Sequence, residues 1–333
     1  MSTAGSRREL VVELAVELRR RVLPLLGLHA GRAHVQAGAG GDVTFEIDRI
    51  AEAFLESFLA ERAPDVAFYS EDRGLVWGGG PPPLADRPQQ VLIVDPIDGT
   101  RPAMAALESC CVSVAAAALP GPLAEAGAPR PTMGDVHTGC VVEIKSGTAF
   151  VAERGRGIEI RRDEDRSERP SLSRNTDISR LFWTFGLRGR PALPLIRVLE
   201  ELIDASSVGG AVFDLGSATF DMTRIVTGQL DAYVDVGTRM IDDVPAVRPQ
   251  FERLGAGAVL NNSPYDLAAA ALCLSEAGAV VTDAYGEPLD PRPLLGSGHD
   301  FQMSCVAAAS SELHGQILEL VERGLDRLAR AVA

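Results

Sequence analysis

The sequence predicts a mixed α/β chain built in layers, and three observations carry that expectation. Apolar runs such as 91–94 and 279–282 are too short for helices and read as buried strands. Longer segments such as 7–26, 47–62 and 267–277 carry apolar residues at helical spacing. The two patterns intermix in both halves of the chain without repeats or low complexity, which is the pattern of helices layered on sheets. At 333 residues and 46% hydrophobic, the chain can bury core enough for two units.

Taken in order, 7–26 is an amphipathic helix, since Glu9, Glu13, Glu17 and several arginines interrupt its apolar residues. Those charges exclude a membrane span or a signal peptide there. A second helix, 47–62, follows Thr44 and Asp48. Strands are expected at 66–70 and 91–94, with the Gly/Pro-rich loop 78–83 between them and another loop at 120–131. Segments 136–144 and 147–153 read as a hairpin, and 155–160 as a further edge strand. The charged stretch 161–169 is a surface connection, so the boundary is placed between an α+β unit at 1–175 and an α/β unit at 176–333. The second unit reads as strand 181–187, helix 193–205, strand 211–213, helix 217–226 and strand 230–236. An irregular segment, 238–262, precedes helix 267–277, strand 279–282 and an amphipathic C-terminal helix at 312–331.

The formal net charge of −14 argues against nucleic acid or an anionic membrane as partner, because both need a basic face. An anionic substrate would be repelled as well, unless a bound divalent cation reverses the sign locally. Five cysteines, two adjacent at Cys110 and Cys111, have no zinc spacing and read as buried thiols of a reducing compartment, here the cytoplasm.

One stretch carries the chemistry. The run 91–94 leads straight into Asp95-Pro96-Ile97-Asp98-Gly99-Thr100-Arg101-Pro102. Pro96 stops the strand ladder, Gly99 permits a turn, and Pro102 suits the first turn of a helix running on through 104–107. Asp95 and Asp98 then converge on one point, and the amides of Gly99 and Thr100 face it. Carboxylates attract a hard cation and free amides attract a phosphate; the competing reading is an Asx-rich turn that caps the helix. Three further acidic segments, ending in Asp48, in Glu71-Asp72 and in Tyr265-Asp266, each have a structural explanation when taken singly: helix face, loop charge and N-cap.

Together, in this order, they resemble the inositol monophosphatase family of magnesium-dependent, lithium-sensitive phosphatases. Asp95 to Thr100 matches that family's Asp-Pro-Ile-Asp-Gly-Thr signature in full, and Ser70-Glu71-Asp72 stands where it carries Gly-Glu-Glu. Gly216-Ser217-Ala218, Gly228-Gln229-Leu230-Asp231-Ala232-Tyr233, Tyr265-Asp266-Leu267-Ala268-Ala269 and Glu276-Ala277-Gly278 resemble its later segments. The resemblance implies a five-layer αβαβα sandwich and a homodimer. It implies that Glu71, Asp95 and the Ile97 carbonyl hold one Mg²⁺, that Asp95, Asp98 and Asp266 hold a second, and that a third lies near Glu71 and Asp48. Thr100, oriented by Asp48, would position or deprotonate the attacking water, with Glu71 completing the catalytic set. The Gly99 and Thr100 amides would hold the phosphate, and Gly216, Ser217, Ala218 and Asp235 would contact substrate, Asp235 through its hydroxyls.

The resemblance also has departures. Arg101-Pro102-Ala103 follows the signature where the family has Asn-Phe or Lys-x-Phe. Phe213-Asp214-Leu215 stands where arginine-serine is common. The segment 238–262 is extra and contains Asp242-Asp243-Val244-Pro245-Ala246, a second match to the late metal motif. Asp266 is preferred over Asp243 because its Leu-Ala-Ala helix and downstream Glu-Ala-Gly fit better. The extra segment is expected to act on specificity, as lid or substrate wall, with a surface elaboration or a dimer contact as the alternatives. The implied function is a Mg²⁺-dependent phosphomonoesterase for a small cyclitol or sugar phosphate. The alternatives are fructose 1,6-bisphosphate, histidinol phosphate, 3′-phosphoadenosine 5′-phosphate or an aminocyclitol phosphate as substrate, and a catalytically silent relative that binds a phosphorylated ligand.

Overall fold

Each predicted amphipathic helix buries its apolar stripe against a sheet, and the layering follows from where those stripes land. The computed structural model describes residues 4–28, 34–37, 43–77, 90–121, 123, 127–163 and 166–332, so the predicted loop at 78–83 and part of that at 120–131 lie outside the described residues. Helix α1 (Ala4–Val22) buries Val11, Leu14, Ala15, Leu18 and Val22 on one stripe. It ends in Arg19, Arg20 and Arg21, whose charges suit a helix C-terminus, and passes into a 3₁₀ turn at Leu23–Leu25. Helix α2 (Glu46–Arg62) buries Ile47, Ala51, Leu55 and Leu59 beside it.

A two-stranded ribbon, β1 (His34–Ala37) and β2 (Val43–Phe45), leads into α2. An eight-stranded sheet follows from β3 (Ala67–Ser70), β4 (Gly74–Trp77), β5 (Gln90–Asp98), β6 (Cys111–Ala118), β7 (Val136–Glu143), β8 (Ala149–Glu153), β9 (Gly157–Asp163) and β10 (Arg166–Glu168). Its order is β10-β9-β8-β7-β6-β5-β3-β4, and β3 with β5 is its parallel pair. Strand β9, expected at the edge, is covered by β10, because the charged connection pairs back in part. Helix α3 (Thr100–Met104) is a single short turn and stops before Leu107.

The second sheet is built from β11 (Phe182–Phe185), β12 (Ala211–Phe213), β13 (Ala232–Asp235), β14 (Val280–Thr282) and β15 (Cys305–Ala308), in the order β12-β11-β13-β15-β14. Its helices are α4 (Ala192–Ser206), α5 (Ala218–Val226), α6 (Gly237–Asp243), α7 (Arg248–Leu254), α8 (Pro264–Ala277) and α9 (Ser311–Val332). The segment expected to be irregular is therefore largely helical. Its prolines hid the pattern: Pro249 sits in the first turn of α7, where no amide donor is needed, while Met240, Ile241, Val244, Val247 and Phe251 reach the core.

Three apolar clusters define the layers. One joins α1 and α2 to one face of the large sheet. A second lies between the two sheets and is filled by α5 and α8. The third joins α4, α6, α7 and α9 to the outer face of the small sheet. The molecule is thus the five-layer αβαβα sandwich. Small residues make the middle layer possible: an added Cβ at Gly139 on β7 would stand 3.0 Å from the Ala269 carbonyl oxygen of α8.

The outermost layer depends on a similar contact, since a Cβ at Gly324 of α9 would run into the backbone carbonyl of Val198 on α4. Gly324→Ala is expected to lose roughly 1–3 kcal/mol by overpacking, read as a lower urea midpoint.

Candidate active site

Residues three apart on a regular strand point to opposite faces, so Asp95 and Asp98 require an irregularity to converge. Strand β5 supplies it. Asp95 pairs with Ser113 and Asp98 with Cys111, so three steps on β5 answer two on β6. That bulge carries Pro96, which has no ladder donor to offer, and it brings both carboxylates to one side. Ile97 N–H donates to Asp95 Oδ1 at 3.0 Å and fixes the turn. Gly99 follows at φ +86°, and a Cβ there would strike the Ser109 carbonyl and Ser217 Cβ, so glycine is required by both conformation and space.

The second half of the chain completes the cluster. Asp98 Oδ2 accepts from Ser217 Oγ and from Thr219 N–H, both at 2.7 Å, at the start of α5. Asp266, at the start of α8, accepts from Ser263 N–H at 2.6 Å, and its own carbonyl accepts from Thr219 Oγ1 at 3.0 Å. Oxygens of Asp95, Asp98 and Asp266 all lie within 4.8 Å of one another. Asp95 and Asp98 are buried, and Asp266 is partly exposed. Glu71, the Ile97 residue, Thr100 and Arg188 line the same cleft, of about 480 Å³.

Thr100 Oγ1 lies 3.0 Å from Asp48 Oδ1 and 3.1 Å from the Ile97 carbonyl, so its proton has two acceptors and its lone pairs are left to accept from a third group. Asp48 Oδ2 accepts from Phe45 N–H at 2.9 Å, which orients the carboxylate from the start of α2.

Gathering these acids raises their proton affinity. Removal from water, then Asp98, Glu71 and Asp266, push Asp95 well above the usual carboxylate range. Removal from water, then Asp98, push Asp266 up to about 8. Burial raises Asp98 despite its hydrogen bonds from Thr219 and Ser217. Among the described residues none of the three forms an ion pair, and the donor set is all oxygen, which suits a hard divalent cation.

The structure separates the predicted residues. It brings Glu71, Asp95, Ile97, Asp98, Gly99, Thr100, Gly216 and Asp266 to one cleft, with Asp48 behind Thr100. Ser217 turns its hydroxyl to Asp98 and accepts from Phe220 N–H at 3.1 Å, so it positions a carboxylate, and Ala218 lines a smaller adjoining cavity. Asp235 does not reach the cleft: it is fully buried, ion-paired with Arg190 and bonded by Gly237 N–H at 2.9 Å. Asp243 is elsewhere, accepting from Arg239 and from the Tyr285 hydroxyl, which leaves Asp266 in the cluster.

Arg188, Asp214, Asn261 and Asn262 also line the site and were not singled out from sequence. Gly186-Leu187-Arg188-Gly189-Arg190, at the carboxyl end of the predicted strand 181–187, was the available signal, since parallel strands bind ligands at their carboxyl ends.

Comparison with known proteins agrees with this geometry. The model of the inositol monophosphatase family matches residues 7–325. A fructose-1,6-bisphosphatase/inositol-1-monophosphatase of Methanothermobacter thermautotrophicus is 25% identical over 93% of this chain and 95% of its own. Human inositol monophosphatase 2 is 25% identical over 86% of this chain and 82% of its own. Among solved structures, an IMPase of Thermotoga maritima superposes with a TM-score of 0.65 at 19% identity, over 97% of this chain and 99% of that one, which shows the shared fold.

The cluster predicts an inverted pH dependence. A carboxyl whose folded pKa lies above its unfolded value of about 4 binds its proton more tightly when folded. Its contribution to stability is then lost as pH rises from about 4 towards the folded value, about 8 for Asp266. In metal-free protein, Asp95→Asn should therefore be more stable than the parent, by a margin that widens as pH rises above the ordinary carboxylate range. A saturating divalent cation should reverse the order. Thermal melts in chelator and in cation check both.

Proposed function

This chain belongs to the inositol monophosphatase family, and from that premise we propose that it is a magnesium-dependent phosphomonoesterase acting on a small cyclitol or sugar phosphate. The observation that carries the reading is the convergence of Asp95, Asp98 and Asp266 beside the Thr100–Asp48 pair in one cleft. Members of the family are metal-dependent phosphatases.

Glu71, Asp95, the Ile97 carbonyl, Asp98 and Asp266 would hold two Mg²⁺ ions, with a third near Glu71 and Asp48. Bound there, such ions neutralise the phosphate's charge and lower the pKa of water towards neutrality. The remaining work falls to the chain. Asp48 Oδ1 accepts the Thr100 proton, which turns a Thr100 lone pair towards the water that attacks phosphorus, and Glu71 supplies a second acceptor for that water. The Gly99 and Thr100 amides would bind the phosphoryl oxygens directly, and Arg188 adds positive charge to the lining of the cleft. α3 is five residues long, so its dipole contributes little beside those amides.

A thiolate route is poorly supported. All five cysteines are buried and free, and burial pushes Cys110 up to about 12 and raises Cys111 well above the usual thiol range. The free thiols support residence in the reducing cytoplasm, and the family resemblance supports a homodimer, which light scattering tests. Among the described residues, no helix is long and apolar enough to cross a membrane.

The test is phosphate release from inositol 1-phosphate, fructose 1,6-bisphosphate, histidinol phosphate, 3′-phosphoadenosine 5′-phosphate and aminocyclitol phosphates, with Mg²⁺ or with chelator. Turnover should require the metal and vanish in Asp95→Asn. Thr100→Ala should lower kcat by about 10²–10⁴-fold, the range of a lost proton-transfer group. Metal-independent release, or none from any member of the panel, would overturn the reading.

A further inference from the structure

Beyond the metal cluster the cleft continues into a small polar cavity of about 60 Å³, and its wall is partly supplied by the extra segment. Asn261, near the end of that segment, is 8% exposed, and neither its side-chain oxygen nor its nitrogen has a hydrogen-bond partner. Two orphaned amide atoms in one buried side chain are costly to leave unmet. Arg190 Nε and Asp221 Oδ1, in residues lining the same cavity, are also without partners.

The frame around Asn261 is fixed. The Leu260 carbonyl accepts from Arg190 Nη1 at 3.1 Å, Asn262 Nδ2 donates to the Tyr233 hydroxyl at 2.9 Å, and the Asn262 carbonyl accepts from Met303 N–H at 2.8 Å. Gly237 lacks the side chain that would collide with Asn261 Oδ1 and crowd Arg190 Nε. The chain on either side of Asn261 is therefore held in place, with the carboxamide's own bonding capacity unused.

The residue expected to contact substrate hydroxyls has been withdrawn, because Asp235 is buried against Arg190. We propose that Asn261 replaces it as the specificity residue, reading the hydroxyls of the leaving group through a carboxamide that both donates and accepts. Asp98, Asp214, Asp221 and Asp266 line the cavity beside Arg188 and Arg190, and Arg190 is engaged by Asp235, so acids outnumber cations and a neutral polyol edge suits it better than a second phosphate. This rests on the phosphatase reading above.

The test compares the parent, Asn261→Ala and Asn261→Ser on inositol 1-phosphate and on p-nitrophenyl phosphate, which has no hydroxyls to read. Asn261→Ala should raise KM for inositol 1-phosphate about tenfold, the equivalent of one or two neutral hydrogen bonds, with kcat little changed. Its kcat/KM on the aryl phosphate should stay at the parent value, and Asn261→Ser should recover part of the KM. An equal loss on both substrates, or an unchanged KM on inositol 1-phosphate, overturns the proposal. Should the parent hydrolyse neither ester, the phosphatase reading fails by itself, and binding then decides the role of Asn261. Inositol 1-phosphate is titrated calorimetrically with Mg²⁺ into Thr100→Ala, with and without Asn261→Ala. About tenfold weaker binding on losing Asn261 upholds the role, and equal or absent binding overturns it. Urea unfolding confirms that each variant is folded.

Discussion

Everything at the centre of this molecule depends on one unfavourable contact, the crowding of Asp95, Asp98 and Asp266 at the end of a buried strand. Like charges at this separation raise one another's proton affinity and oppose folding wherever they are ionised. The fold holds them by bonds that cross between its halves. Ser217 and Thr219 of α5 reach Asp98 on β5, and Thr219 also reaches the Asp266 carbonyl on α8. One short helical turn therefore ties two acids from distant sequence into a single geometry. A cation bound there would relieve repulsion already built into the fold.

The middle layer serves the same arrangement. α5 and α8 lie between the two sheets and present their N-terminal turns to the end of β5. Alanines on α8 and small residues on β6 and β7 bring the helix close to the sheet, as the contact at Gly139 shows. Bulkier side chains there would lift α8 and carry Asp266 away from Asp95. Core composition and metal geometry are thus one constraint. Tyr265 makes the link direct, stacking on Tyr69 at 6.5 Å while its carbonyl accepts from Ser113 Oγ.

How far the sequence was legible follows from the range of each interaction. Asp95, Asp98 and Thr100 could be read because a contiguous motif encodes the bulge, the turn and the short helix together, whereas Asp266 was legible only through the resemblance of its own segment. The layers could be read because α1, α2, α4 and α9 show their stripes locally. Strands β6 and β15 escaped notice because Cys111–Ala118 and Cys305–Ala308 are rich in alanine, which favours helix by propensity and lies in sheets only where tertiary packing demands small residues. Asp235 was misplaced for a related reason. Its partner Arg190 is 45 residues away, and no pattern around Asp235 announces a buried ion pair. Asn261 carried no signal at all, since Asn261-Asn262-Ser263 ahead of a proline reads as a turn.

The two ends of the cleft are built on different principles, and this bears on how specificity arises in such a fold. At the metal end, side chains do the holding, so replacing any one of them alters charge, geometry and neighbours together. At the cavity end, the last residues of the extra segment, 259–262, are held largely through their backbone carbonyls. Arg190 takes the Leu260 carbonyl, Gln302 takes the Val259 carbonyl at 2.6 Å, and Met303 N–H takes the Asn262 carbonyl. Backbone carbonyls are the same whatever side chain sits beside them. Position 261 can therefore change its side chain while its place in the wall stays fixed, which separates the choice of leaving group from the chemistry of the phosphoryl group.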